Sequence, residues 1–139
     1  MALRGFVAAV AMASAVGAHA ADPLPGKLAG TWTALSPGRT FVDRFSLTFD
    51  GNGAPGPVSG RIDLSGVTCG ALGEPIANGT WDGDTLRFDA TMRPGVNSQR
   101  TGNCNFAEST WVLQRKPGSS EFVGTLVGQG GTLTVRASP

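Results

Sequence analysis

The stretch Ile76-Ala77-Asn78-Gly79-Thr80-Trp81-Asp82-Gly83-Asp84-Thr85-Leu86-Arg87-Phe88-Asp89-Ala90 decides how the chain is read. Asp82-Gly83 sits at its middle, and this dipeptide suits a tight hairpin because Gly accepts φ > 0 without steric cost. After the turn, Leu86, Phe88 and Ala90 point one way while Thr85, Arg87 and Asp89 point the other. A period of two is the mark of a strand with one buried face. The stretch is therefore a β-hairpin.

The same grammar extends outward in both directions. Upstream, Leu28–Ala34 reads as a first strand, followed by a Ser36-Pro37-Gly38 turn. Phe45, Leu47 and Phe49 alternate with Arg44, Ser46 and Thr48 in a second strand, which ends at Asp50-Gly51-Asn52-Gly53. Val58–Leu64 is a third strand with Val58, Gly60, Ile62 and Leu64 on one face, and 65–75 reads as a loop containing Cys69. Downstream of the hairpin, Met92–Gly102 reads as a loop leading into a sixth strand around Asn103–Phe106. Ser109–Arg115 and Glu121–Val127 are the seventh and eighth strands, and Thr132–Arg136 is a final piece after a break at Gly128–Gly131.

Short strands at regular spacing, with no helical period of 3.6, describe an all-β domain. No segment offers a crossover helix, so the strands are expected to be antiparallel. The 21 glycines fit turns and bulges better than helices. Closure into an up-and-down barrel of eight strands removes exposed edges, which makes that architecture the expectation and a two-sheet sandwich the alternative.

The first twenty residues read differently from the rest. Arg4 precedes an apolar run, Phe6–Val16, and Ala18-His19-Ala20 has the small-residue pattern of a signal-peptide cleavage site. About eleven apolar residues are too few for a bilayer core that needs roughly twenty, so a cleaved leader is expected and no membrane span. The expected organisation is a signal peptide over 1–20, an extended proline-bearing arm over 21–27 and a barrel over 28–139. Periplasmic or extracellular export follows from the leader.

Loss of the leader would remove His19, the only histidine, from a chain that has no tyrosine. It would also leave 10 basic residues (11 less Arg4) against 10 acidic ones. Such a neutral chain offers no basic stripe, so nucleic acid is not an expected partner. Cys69 and Cys104 are then expected to pair as a disulfide in an oxidising compartment. The bond would close a loop with 34 residues between its ends and stabilise by about 3–4 kcal/mol in the chain-entropy description.

Catalytic and metal chemistry are thinly supported. Ser-His-Asp and Cys-His arrangements need a histidine. Lys27 and Lys116 stand beside turns, and Asp82, Asp84 and Asp89 are spaced as turn and strand residues. Asp50-Gly51-Asn52-Gly53 resembles the start of a calcium loop but lacks its later acidic ligands. Asn78-Gly79-Thr80 formally matches a glycosylation acceptor inside an expected strand. The reading is a non-enzymatic protein without metal or cofactor. Trp32, Trp81 and Trp111 remain, each preceded by Thr, as core residues or as walls of a ligand cavity.

Several of these motifs carry a resemblance. Leu28-Ala29-Gly30-Thr31-Trp32, Asn78-Gly79-Thr80-Trp81-Asp82, Thr110-Trp111-Val112-Leu113 and Thr125-Leu126-Val127-Gly128 resemble, in order, strands of the avidin and streptavidin family. That resemblance implies a secreted barrel with a biotin-type cavity, with Trp111 and Phe88 as aromatic walls and Ser36 as a polar contact. Leu47, Ile62, Leu86 and Leu113 would face inward. Where the family presents polar partners to the ureido group, this chain has Ala34, Ile62 and Gly130, and each lost hydrogen bond to a buried polar group costs about 1–3 kcal/mol. Phe45–Gly60 is also similar to the start of a META-type envelope domain. Small periplasmic protease inhibitors share the disulfide, the Gly-x-Trp opening and an N-terminal arm. Those likenesses imply a packed barrel acting on a protein partner through its surface. The two readings separate on the interior: if Phe45, Phe49, Phe88 and Phe122 fill it, the surface reading gains.

Overall fold

A computed structural model describes residues 22–36, 39–66, 68–96 and 104–139. The expected leader, Ala21, Pro37-Gly38 and Asn103 lie outside the described residues, as do 97–102 of the expected loop. The described chain is all β, with eleven segments: β1 (Lys27–Ser36), β2 (Arg39–Phe49), β3 (Gly56–Val58), β4 (Gly60–Leu64), β5 (Cys69–Pro75), β6 (Ala77–Trp81), β7 (Thr85–Thr91), β8 (Arg93–Pro94), β9 (Glu108–Arg115), β10 (Phe122–Gly128) and β11 (Gly131–Ser138). They pair in the order β3-β6-β7-β9-β10-β11-β1-β2-β4-β5-β8 as one barrel-like sheet. Every pairing is antiparallel.

The alternation read from the sequence sets which face is buried. Leu28 and Trp32 of β1, Phe45, Leu47 and Phe49 of β2, and Ile62 and Leu64 of β4 all lie in one core. Leu86, Phe88 and Ala90 of β7, Trp111 and Leu113 of β9, and Phe122 and Leu126 of β10 join them. The opening hairpin forms as expected, with Trp81 opposite Leu86 and Gly83 at φ 99°. Asp82 Oδ1 accepts from the backbone N–H of Asp84 at 2.8 Å and of Thr85 at 2.6 Å, which closes the turn.

Three expectations are corrected. The segment 65–75 is a loop only at its start, because Cys69–Pro75 is β5, pairing with β4. Its alternation was hidden by a bulge: Gly73 takes φ 60°, and its N–H donates to Asp63 Oδ1 at 2.8 Å while its carbonyl accepts from Arg61 Nη1 at 2.8 Å. Second, the sixth strand expected around Asn103–Phe106 is a turn over its described residues, closed by Ala107 N–H donating to the Cys104 carbonyl at 3.4 Å. Third, Arg93-Pro94 leaves the expected loop to pair with Cys69-Gly70 as β8. The described residues thus form eleven separate segments.

Cys69 and Cys104 form a disulfide with Cα atoms 5.2 Å apart. It fastens the chain after β8 to the start of β5, at the end of the sheet opposite residues 22–26. No helix among the described residues is long and apolar enough to cross a membrane.

Candidate functional site

Among the described residues, aromatic side chains pack against one another in the interior between the strands. Phe88 and Trp111 face each other across β7 and β9 with ring centroids 5.4 Å apart and planes 17° from parallel. Phe45 also meets Trp111, edge-to-face, with centroids 5.0 Å apart and planes inclined at 68°. Nearer residues 22–26, Trp81 and Phe122 lie 5.9 Å apart. Phe88, Trp111 and Phe122 are 0% exposed and Trp81 is 2% exposed, while Phe45 and Phe49 are also buried. Such pairs contribute about 0.5–1.5 kcal/mol each beyond their burial.

One polar group sits in this core and was not singled out from the sequence. Ser109 precedes Trp111 by two positions and so shares its inward face. Its hydroxyl donates to the Ala90 carbonyl at 3.1 Å and accepts the Trp111 indole N–H at 3.0 Å. Trp111 thus has its polar atom satisfied inside the protein. The Nε1 atoms of Trp32 and Trp81, by contrast, are buried without a partner.

The end of the sheet nearest the N-terminus is covered by residues 22–26. Leu24 is buried, and its N–H donates to the Gly53 carbonyl at 2.9 Å. Phe49 N–H donates to the Gly26 carbonyl at 2.9 Å. Arg115 holds the arm from the other side, donating through Nη1 to the Asp22 carbonyl at 3.1 Å and through Nη2 to that of Pro23 at 3.0 Å. Its guanidinium lies 4.9 Å from the Trp81 ring centroid and 5.3 Å from that of Phe122, within cation–π range. Beside it, Asp22, Pro23, Asp84, Lys116 and Ser119 border an open groove of about 410 Å³.

The outer face is distinctive where β9, β10, β11, β1 and β2 run side by side. Register places Val112 opposite Thr125, Thr125 opposite Thr134, Thr134 opposite Thr33 and Thr33 opposite Val42. The next row holds Thr110, Val127 and Thr132. With strands about 4.8 Å apart, the longer row spans roughly 19 Å without a charged side chain. Val42 is 57% and Val127 45% exposed, two of the large apolar side chains open to solvent. Arg87 and Asp89 bound this region on one side, and Arg136 and Arg44 on another.

Two carboxylates at the surface, Asp89 and Asp82, have perturbed acidity. Asp89 has its pKa lowered by the Asn78 side-chain amide, which donates to it at 2.9 Å, and then by Thr110 Oγ1 at 2.8 Å. Asp82 is lowered by the Thr85 and Asp84 backbone N–H groups. Neither carboxylate faces a cavity with a second acid, and each is held by its own turn or ladder. No group of three or more metal-binding side chains occurs among the described residues.

Of the residues singled out from the sequence, Trp111 and Phe88 are brought into direct stacking contact in the core. Leu47, Ile62, Leu86 and Leu113 are all buried there too. Ser36 ends β1, at the opposite end of that strand from the arm, and its side chain lies outside the described ones. Ser109 and Arg115 were legible only in part. An inward Ser follows from strand alternation, but its bond to the indole requires the β7–β9 register. No family model, no curated protein and no solved structure matches this chain.

Proposed function

We propose that the protein is an exported, non-enzymatic binding module whose outer surface, rather than an internal cavity, meets its partner. Three joints underlie the architecture of this reading: Ser59 between β3 and β4, Ile76 between β5 and β6, and Met92 between β7 and β8. Bridging them turns eleven segments into eight staves, and the ring of pairings closes because β3 pairs β6 while its continuation β4 pairs β2. In this reading the eight staves form an up-and-down barrel, a closure that covers strand edges. The disulfide suits an oxidising compartment, consistent with export.

The observation that carries the reading is the packing of Phe45, Trp111 and Phe88 along the interior. Rings packed against one another in this way favour a filled interior over an open ligand cavity. The uncharged Val/Thr rows on β9, β10, β11, β1 and β2 are the surface best suited to a protein partner, itself uncharged at the contact. A photocrosslinking side chain at Thr134, in the exported protein, tests this. Crosslinks to a different protein, lost on Val42→Lys with Val127→Lys, support the reading; equal yield from a control position at Gln129 refutes it.

A second reading keeps a small ligand at the end of the barrel away from the arm. Its support is the Trp32 indole N–H, a buried donor without a partner, which a ligand carbonyl would satisfy. Biotin-dependent quenching lost in Trp32→Phe would favour it.

A further inference from the structure

We infer that Asn52 is a site of spontaneous deamidation, and that its conversion loosens the N-terminal arm from the barrel. Asn52 is exposed in the loop between β2 and β3 and is followed by Gly53, whose lack of a side chain leaves its nitrogen open to attack the Asn52 carboxamide. The Ala54 N–H donates to Asn52 Oδ1 at 3.1 Å. Negative charge develops on that oxygen when the Gly53 nitrogen adds to Cγ, so the same N–H stabilises the intermediate. The bond from Gly53 N to Cγ forms, the Gly53 N–H proton passes to solvent, and the Cγ–Nδ2 bond breaks to release ammonia. Water then opens the five-membered imide at either carbonyl, leaving an ordinary aspartyl or an isoaspartyl linkage at this position.

The chain contains a second Asn-Gly pair, Asn78-Gly79, and its surroundings are opposite. The Asn78 amide nitrogen is held by Asp89 Oδ2 at 2.9 Å, and Gly79 is buried opposite Val58 in the β3–β6 ladder. Cyclisation there requires breaking the bond to a charged partner and part of the ladder. On the strength of such bonds, Asn78 reacts at least about tenfold more slowly than Asn52.

The position of Asn52 gives the reaction a structural consequence. The Gly53 carbonyl receives the Leu24 N–H at 2.9 Å, and a Cβ at Gly53, which has φ 78°, would overlap the Leu24 backbone. An isoaspartyl residue lengthens the main chain by one methylene immediately before that contact. It also places a second carboxylate near Asp50, whose own carboxylate accepts from Ser59 Oγ at 3.1 Å. The arm's hold through Gly53 weakens, while its hold through Arg115 remains.

The test is to age the purified, oxidised protein in mildly alkaline buffer and follow each Asn-Gly peptide by mass mapping with isoaspartate-specific fragmentation. Asn52 is expected to convert first, with Asn78 essentially intact. Protease cleavage within 22–26 should rise with the Asn52 conversion and stay flat in aged Asn52→Ser. Equal conversion of the two sites, or an unreacted Asn52, overturns the assignment. Conversion with unchanged cleavage overturns the coupling to the arm.

Discussion

The Trp111 indole N–H donates to the Ser109 hydroxyl at 3.0 Å, two residues away on the same inward face of β9. The bond fixes the plane of the ring that Phe88 stacks on and Phe45 meets edge-on. Ser109→Ala strands that N–H and takes one donor from the Ala90 carbonyl. The expected cost is about 1–3 kcal/mol in chemical denaturation, because a buried polar group loses its partner. A neutral result would show that the ring is held by packing alone.

Arg115 joins the arm to the core in a way lysine cannot reproduce. Its planar fork reaches two carbonyls at once and lies over two aromatic rings, whereas an ammonium is a point charge. Arg115→Lys should therefore expose residues 22–26 to proteolysis and lower stability, with Arg115→Met doing so further. If both variants protect the arm as well as the parent, Leu24 alone holds it.

The Cys69–Cys104 bond spans the chain between β5 and β9. Reduction, or Cys69→Ser with Cys104→Ser, is expected to remove about 3–4 kcal/mol of stability, observable as a lower denaturation midpoint. Because the aromatic interior lies among other strands, the reduced protein should keep its tryptophan emission maximum before unfolding. A red shift on reduction alone would place the disulfide's influence deeper.

Acid sensitivity follows from Asp82 and Asp89. Both are held below the ordinary carboxyl value of 3.8, Asp82 chiefly by the Thr85 N–H and Asp89 chiefly by Asn78. A carboxylate with a lowered folded pKa contributes stability that is full above its unfolded value and lost as pH falls through the folded one. Stability should thus be insensitive to these groups near neutrality and fall below 3.8. Asp89→Asn should lower neutral stability and flatten the acid limb; an unchanged limb would remove Asp89 from the account.

Much of the fold was legible because strand alternation reports the buried face directly. Phe45, Leu47 and Phe49 on β2, and Leu86, Phe88 and Ala90 on β7, were readable this way, and the Asp82-Gly83 turn supplied the register between their neighbours. β5 was not readable, since the Gly73 bulge breaks the period of two and its bonds to Arg61 and Asp63 come from another strand. The site was harder still. Alternation places Trp111 inward, but whether an inward tryptophan packs or lines a cavity depends on Phe45 and Ser109 meeting it, 66 and 2 positions away. The arm's attachment likewise depends on an Arg115 contact 93 residues distant.

The most direct test of a filled interior is a titration of the oxidised protein with biotin, following tryptophan fluorescence and melting temperature together. A barrel packed by Phe45, Phe88, Trp111 and Phe122 predicts no saturable change in either signal up to millimolar ligand. Saturable quenching with a raised melting temperature, abolished by Trp111→Phe, would contradict it and restore an internal ligand site.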